Sequence, residues 1–460
     1  MSALAAILAE RGHAVSGSDP RDSAVVQRLR RLGVRVFREQ NAATVAAIRS
    51  GTSHTPQVVI SSAVPTGNPE LMEAQRLGLP ICHRSDVLAA LINGQPSIAV
   101  AGSHGKTTTS TLIATLLAAT DNDPTAVIGG VVPAFGSNGR HGLGRLLVAE
   151  ADESDGSLVK FRAQLGVLTN LELDHTDHYR DLEALITTLQ RFAKGSTRLL
   201  ANRDCPILRK HFQASHWWST ESPKDVAFAA IAIEEHGDGS RVAFYEQGIP
   251  VGELMLPLPG RHNLSNATAA FAACRLEGVS FPELAEAMGR LKPPGRRFEY
   301  RGTWNGRCVV DDYAHHPSEV DATLKMARLI IESGRSPFQE VPTPQRIVAV
   351  FQPHRFSRTA QFLQEFAAAL TQADAVLIAP LYAAGEAPVE GISSQALGEA
   401  VLALKPALPL MVADTMETMI QDVARLSRAG DLVLAMGAGD INGLWERLQR
   451  LQDHLDELVA

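Results

Sequence analysis

At positions 101–110 the chain reads AGSHGKTTTS, which places a lysine and a run of threonines directly behind two glycines. A glycine turn that opens a helix presents backbone N–H groups and the positive end of the helix dipole to phosphate oxygens, and a following lysine adds a full charge. The common phosphate loop is G-x-x-x-x-G-K-[ST], and its first glycine would fall where this chain has Val100. What remains is a compressed form, Gly102-Ser103-His104-Gly105-Lys106-Thr107-Thr108. The apolar SIAVA before it and TLIATLLAA behind it still predict strand, turn and helix. In this reading the backbone from Gly102 to Thr108 cradles phosphates, Lys106 reaches the terminal ones and the Thr107 hydroxyl ligates Mg2+.

A phosphate-bound cation also needs a hard oxygen from another strand end, and Glu150 in VAEADESD is placed to supply it. Glu150, Asp152, Glu153 and Asp155 crowd one short stretch and would repel one another unless a cation or a cationic substrate stood among them. A second polar loop, Asp174-His175-Thr176-Asp177-His178, follows a β-rich run, and a histidine there could bind a second metal. Further on, DDYAHHP at 311–317 and FQPHRFSRT at 351–359 each follow an apolar strand. Their polar residues then fall at the carboxyl edge of a sheet, where open α/β folds hold ligands, and arginines there suit carboxylate or phosphate.

The elements that must position these groups alternate. Over the first hundred residues short β-rich runs (HAVSGSD, VRVF, PQVVISSA, PICH) interleave with helical ones (ALAAILAERG, SAVVQRLRRLG, PELMEAQRLG, SDVLAALI), the pattern of a parallel sheet with crossover helices. A nucleotide-binding βαβ unit normally opens on a strand and a glycine-rich turn, whereas this chain opens on its first helix. A second block runs from SIAVAG to the linker-like KPPGRRF. A third alternates again through RCVVDDYA, RIVAVFQP, DAVLIAP, LPLMVAD and DLVLAMGAGD. The expected architecture is α/β in three serial domains, with boundaries at 1–95, 96–295 and 296–460.

Composition agrees with this and excludes other classes. A chain of 460 residues that is 45% hydrophobic and 20% charged can bury several cores, roughly two to four. A net charge of -7 without a sustained basic block argues against a nucleic-acid surface; the locally basic RLRRLGVRVFR reads as a solvated helix face and a strand start. The four cysteines, Cys82, Cys205, Cys274 and Cys308, show neither zinc-ligand nor disulfide spacing. With no long apolar run and no signal-peptide pattern, a soluble, cytoplasmic protein without membrane contact is expected.

Taken together, GSHGKTTT, EADESD, TNLELDH, PGRHNLSNA, DDYAHHPSEVDATL, FQPHRFSRT, YAAGE and GAGDI resemble the Mur ligases over nearly the whole chain. The resemblance implies a Rossmann-like N-terminal domain for a UDP-sugar, a central P-loop ATPase domain and a Rossmann-like C-terminal domain that takes the amino acid. It implies that ATP phosphorylates the lactyl carboxylate of UDP-N-acetylmuramate and that the amine of L-alanine attacks the acyl phosphate, in peptidoglycan precursor synthesis. Attachment of a whole tripeptide, folylpolyglutamate-type ligation and silent nucleotide binding stay open as alternatives, and the chain would be a monomer or a homodimer.

Residue by residue, the same resemblance implies that Lys106, Thr107 and Glu150 hold the phosphates and one Mg2+, and that His175 ligates a second. Asn263 and Asn266 match positions on adenine, and Arg297 and Asp312 positions on the nucleotide side of the third domain. His315, His354, Arg355 and Arg358 fall in motifs that line the alanine and acyl-phosphate site. Lys106, His175, His315, Arg355 and Arg358 make up the implied catalytic set. Asp19, Ser61 and Ser62 are the expected UDP-sugar contacts, with Glu153 also on the substrate side. Family members begin with a strand and a turn of the G-x-G-x-x-G-M-S kind and this chain starts at Met-Ser, so an internal start and an absent UDP pyrophosphate cradle are expected.

Overall fold

Long apolar β-runs and capped amphipathic helices alternate along the chain, and the computed structural model, which describes residues 1–338 and 341–459, is accordingly α/β throughout. Contacts gather it into two compact units that are not serial in sequence. One comprises Met1–Leu171, Glu183–Trp218 and Ala269–Ala287; the other comprises Glu172–Leu182, Ser219–Thr268 and Met288–Ala460.

In the first unit the strand Ser97–Ala101 is buried at every residue, as a run without polar alternation requires of a central parallel strand. It pairs in parallel with Leu147–Glu150 on one side and Leu165–Leu168 on the other. Arg198–Asn202 and His216–Ser219 extend the sheet beyond Leu165–Leu168, and Thr125–Val132 extends it beyond Leu147–Glu150. The strand Ser137–Arg140 closes that side as an antiparallel partner. Register matters for chemistry here: Val100 lies opposite Glu150 and Ala101 opposite Leu168, so the glycine turn, Glu150 and the segment after Leu168 emerge at one carboxyl edge. The N-terminal alternation also forms, but its three-residue strands pair only two by two, Ser16–Ser18 with Arg35–Phe37 and Val58–Ile60 with Ile81–His83.

The second unit holds a six-stranded sheet in the order Glu299–Trp304, Arg307–Asp312, Asp431–Met436, Arg346–Phe351, Ala375–Ile378, Leu410–Val412, parallel except for its first member. Successive residues of each strand feed opposite faces. Ile347, Ala349 and Phe351 pack in one core cluster, while Val350, Leu377, Val433 and Ala435 pack in another. That two-sided burial is what a doubly wound sheet needs. The helix Pro317–Ser333 starts on a capping box in which His316 accepts from Ser318 N–H and Glu319 reaches back. The antiparallel meander Phe228–His236, Gly239–Glu246, Ile249–Leu256 is the element that the helix-strand alternation did not foretell. Among the described residues no helix is long and apolar enough to cross a membrane.

Candidate active site

The glycine turn is built as its sequence suggests. Gly102 sits at φ +128° and Gly105 at φ +79°, the latter as N-cap of the helix Lys106–Ala119. A Cβ on Gly102 would run into Thr169 Oγ1 and stand 2.8 Å from the Asn170 carbonyl oxygen, so the close approach also demands glycine. Thr169 and Asn170 hold the turn. Ser103 N–H donates to the Asn170 carbonyl (3.1 Å), His104 N–H to Asn170 Oδ1 (2.9 Å), and the His104 carbonyl accepts from Thr169 Oγ1 (2.6 Å) and Asn170 Nδ2 (3.1 Å). Neither residue was singled out from the sequence, although both stand in TNLELDH. Thr108 is buried one turn into the helix.

Cations stand among the crowded acids. Lys106 Nζ donates to Glu153 Oε1 (2.9 Å) and to the carbonyls of Gly102 (2.8 Å) and Ser103 (3.0 Å). Burial disfavours its ammonium form, but Glu153 and then Asp152 outweigh that and raise its pKa, so Lys106 stays charged. Arg84 Nη2 lies 3.9 Å from Asp152 Oδ2 and 4.0 Å from Asp155 Oδ2. Glu150 accepts from Thr107 Oγ1 (2.8 Å) and from Gly129 N–H (2.7 Å), while burial pushes its carboxyl above the usual range. A Cβ on Gly129 would stand 2.7 Å from Glu150 Oε2, so the glycine leaves this carboxylate its place.

The expected UDP-sugar residues of the first unit follow strand ends. Asp19 comes directly after Ser16–Ser18 and is held below the carboxylate range by Arg21, whose backbone N–H contributes most. Ser61 and Ser62 follow Val58–Ile60, with Ser62 Oγ 3.2 Å from His83 Nε2.

In the second unit a cluster of histidines and arginines forms on the segments after Arg307–Asp312 and Arg346–Phe351. The His315 and His354 rings meet edge to face at 5.9 Å, and His354 stacks on Tyr382 at 5.4 Å and 9°. Burial drives His315 down to about 3; Glu319 opposes this and Arg358 adds to it. Burial together with Arg358 and Arg355 takes His354 down to about 4. Both are therefore neutral imidazoles near pH 7. Arg358 is 6% exposed, and its Nε (3.2 Å) and Nη2 (2.6 Å) both donate to Asp174 Oδ1. This is a fork onto one oxygen rather than two. The same oxygen accepts from the backbone N–H of His175, which sits at φ +52° on this loop. Burial would raise Asp174, but Arg358 and then His175 hold it far below the carboxylate range. Arg355 reaches Asp177 Oδ2 at 2.7 Å and Glu386 Oε1 at 3.4 Å. Asp174, Tyr382 and Glu386 are contact partners of Arg358, His354 and Arg355 that stand in the sequence motifs but carried no role there.

The remaining candidates of this unit gather along the helix Pro317–Ser333. Asn263 Nδ2 donates to the Pro259 carbonyl (2.8 Å) and lies 3.8 Å from Met326 Sδ; Asn266, one turn on, is also buried. Arg297 lies over the Tyr313 ring at 5.2 Å and 3.9 Å from Glu319. Asp312 is occupied internally: Oδ2 accepts from Phe298 N–H (2.7 Å) and Oδ1 from Ala314 N–H (2.8 Å), with burial raising its pKa to about 6. It shapes the 296–298 turn, where Arg296 and Phe298 have φ of +59° and +51°.

Comparison with known proteins matches this chain to three Mur ligase patterns: the Mur ligase family catalytic domain at residues 1–96, the Mur ligase middle domain at 100–274 and the Mur ligase glutamate ligase domain at 296–439. The UDP-N-acetylmuramate–L-alanine ligase of a Synechococcus strain is 62% identical over 97% of this chain and 95% of its own length. That of a Prochlorococcus marinus strain is 62% identical over 98% and 92%. Among solved structures, UDP-N-acetylmuramate-alanine ligase from Thermotoga maritima superposes with a TM-score of 0.79 at 23% identity, covering 99% of this chain and 97% of that one. A murein peptide ligase from Psychrobacter arcticus gives 0.68 at 23%, covering 98% and 96%; at such identities the likeness is one of fold.

Proposed function

The chain belongs to the Mur ligase family, and we propose that it joins L-alanine to the lactyl carboxylate of UDP-N-acetylmuramate at the expense of ATP, a step of peptidoglycan precursor synthesis. The observation that carries this reading is the 62% identity to ligases named for that reaction, sustained over 97% of the chain. The phosphate turn with its charged Lys106 supports the ATP half of the chemistry.

A phosphoryl transfer between two anions asks the protein for charge neutralisation and alignment more than for covalent help. In our reading the 102–108 backbone and Lys106 bind the terminal phosphates. Thr107 Oγ1 and Glu150 Oε1, hard oxygens 2.8 Å apart, suit Mg2+. We assign His175 to a second ion. Bound Mg2+ supplies charge neutralisation on phosphoryl oxygens. Arg355 and Arg358 offer guanidinium groups to the carboxylate and phosphate of the acyl-transfer half. His315 and His354, neutral and partly exposed, offer hydrogen bonds without adding cations that would compete for these anions. Asn263 and Asn266 are assigned to adenine, Arg297 and Asp312 to the nucleotide side, and Asp19, Ser61, Ser62 and Glu153 to the substrate side. A cytoplasmic location fits a reaction that joins an amino acid to a nucleotide sugar at the expense of ATP.

The test is phosphate release from ATP with UDP-N-acetylmuramate and, in turn, L-alanine, glycine, L-serine and the stem tripeptide. Release that depends on L-alanine is expected. Release with the tripeptide and not with alanine, or none with any acceptor, would overturn the assignment.

A further inference from the structure

The turn Tyr382–Glu386 and the segment Pro353–Arg355 are bonded to each other from both sides. Tyr382 N–H donates to the Pro353 carbonyl (2.8 Å), Arg355 N–H donates to the Tyr382 carbonyl (2.8 Å), and His354 and Tyr382 form a parallel bridge. Arg355 itself sits at φ +70°, a conformation that is unfavourable for a non-glycine residue and persists only where its surroundings impose it. Two further left-handed residues, Ala384 (φ +49°) and Gly385 (φ +86°), curl the turn so that Glu386 points back at this segment. The Glu386 carboxylate then accepts from Ser357 N–H (3.0 Å) and Ser357 Oγ (2.7 Å), and Oε1 lies 3.4 Å from Arg355 Nη1. Burial opposes its ionisation, but the two Ser357 bonds and Arg355 outweigh this and keep it a carboxylate.

We propose that Glu386 is a positioning residue: by gripping Ser357 and one edge of the Arg355 guanidinium it sets the strained Arg355 so that its remaining N–H groups face an anionic group of the substrate. The proposal rests on the ligase reading above, in which that group is the amino-acid carboxylate or the phosphate. Asp177, 2.7 Å from the same Nη1, shows that this guanidinium already accommodates a second carboxylate beside Glu386. Glutamine at 386 keeps an acceptor for Ser357 and loses the charge that attracts Arg355.

The experiment compares Glu386→Gln, Glu386→Asp, Arg355→Lys and the Glu386→Gln/Arg355→Lys pair by steady-state phosphate release. Glu386→Gln is expected to lower kcat/KM roughly tenfold, Glu386→Asp to recover most of it, and Glu386→Gln to cost less than about twofold when Arg355 is already lysine. A raised KM for L-alanine places the carboxylate at Arg355; a lowered kcat at unchanged KM places the phosphate there. Equal losses in both backgrounds, or no loss from Glu386→Gln, would overturn the proposal. A second readout needs no turnover: the rate at which phenylglyoxal modifies Arg355, measured by peptide mass spectrometry against Arg346, which is bound to Asp431. Glu386→Gln is expected to speed modification of Arg355 several-fold, and an unchanged rate would sink the proposal even if another substrate pair proved to be the right one.

Discussion

Lys106 and Glu153 define the problem at the scale of single residues, because the cation we assign to the terminal phosphates is also the counterion of a carboxylate with no exposure to water. Lys106→Ala should cut alanine-dependent phosphate release by roughly a thousandfold. It should also cost about 3–5 kcal/mol of stability, since it removes the ammonium that stands 2.9 Å from a buried carboxylate. Adding Glu153→Gln should restore the urea midpoint and not the turnover; recovery of both, or of neither, would contradict this division of roles. Histidines carry a second expectation. His315 falls to about 3, and His354 and His262 to about 4, all chiefly through burial. Their folded-state values lie below the unfolded value of 6.5, so the unfolded chain binds more protons between these limits. The stability they contribute is complete above pH 6.5 and is lost as pH falls from there toward 4. Asp312, raised to about 6, and Glu150 and Asp311, also raised by burial, work in the opposite direction over the lower part of this window, whereas His216, lowered by burial, works with the three imidazoles. Urea unfolding should therefore show a midpoint that declines as pH falls from 6.5, before the raised carboxyls take up their protons, and a flat profile there would refute the assignment of neutral imidazoles.

At the scale of elements, the phosphate turn is held by a neighbouring strand end rather than by itself. Gly102→Ala adds a Cβ in a left-handed conformation against Thr169 and Asn170, so the loop must shift. We expect a loss of roughly 1–3 kcal/mol together with a large rise in the KM for ATP. Asn170→Ala keeps the backbone conformation and removes the two side-chain bonds to His104, so it should raise the same KM by a smaller factor. A KM for ATP that Gly102→Ala leaves unchanged would mean that the nucleotide lies elsewhere. The turn itself was legible because glycine, lysine and threonine behind an apolar run have few other reasons to occur together. Its brace was not legible, since Asn170 lies far along the chain and only the pairing of Ser97–Ala101 with Leu165–Leu168 brings it alongside.

For the molecule as a whole, two compact units in a chain of this length predict unfolding that is not two-state. Calorimetry should resolve two transitions, and Mg2+-ATP should raise both, since we assign phosphate and metal ligands (Lys106, Thr107, Glu150) to one unit and adenine and nucleotide contacts (Asn263, Asn266, Arg297, Asp312) to the other. Removal of divalent ions with a chelator should abolish that shift and the phosphate release, and Mg2+ should restore both. A single transition, or a shift insensitive to the chelator, would count against a metal-dependent phosphate site there.

The sequence by itself determined the α/β class, the strand after which each polar stretch emerges and the family, because hydrophobic periodicity and motif spacing are local properties. It identified most of the charged groups, including Lys106, Glu150, Arg355 and Arg358. Which group faces which was decided only by the tertiary structure. Asp174 on Arg358, Glu386 on Arg355 and Glu153 on Lys106 are partners separated by 184, 31 and 47 positions. The alternation of helices and strands also left the 228–256 meander unseen. Pairings at such distances follow from sheet register and from the left-handed turns at His175, Arg355 and Ala384, which no local pattern in the chain encodes.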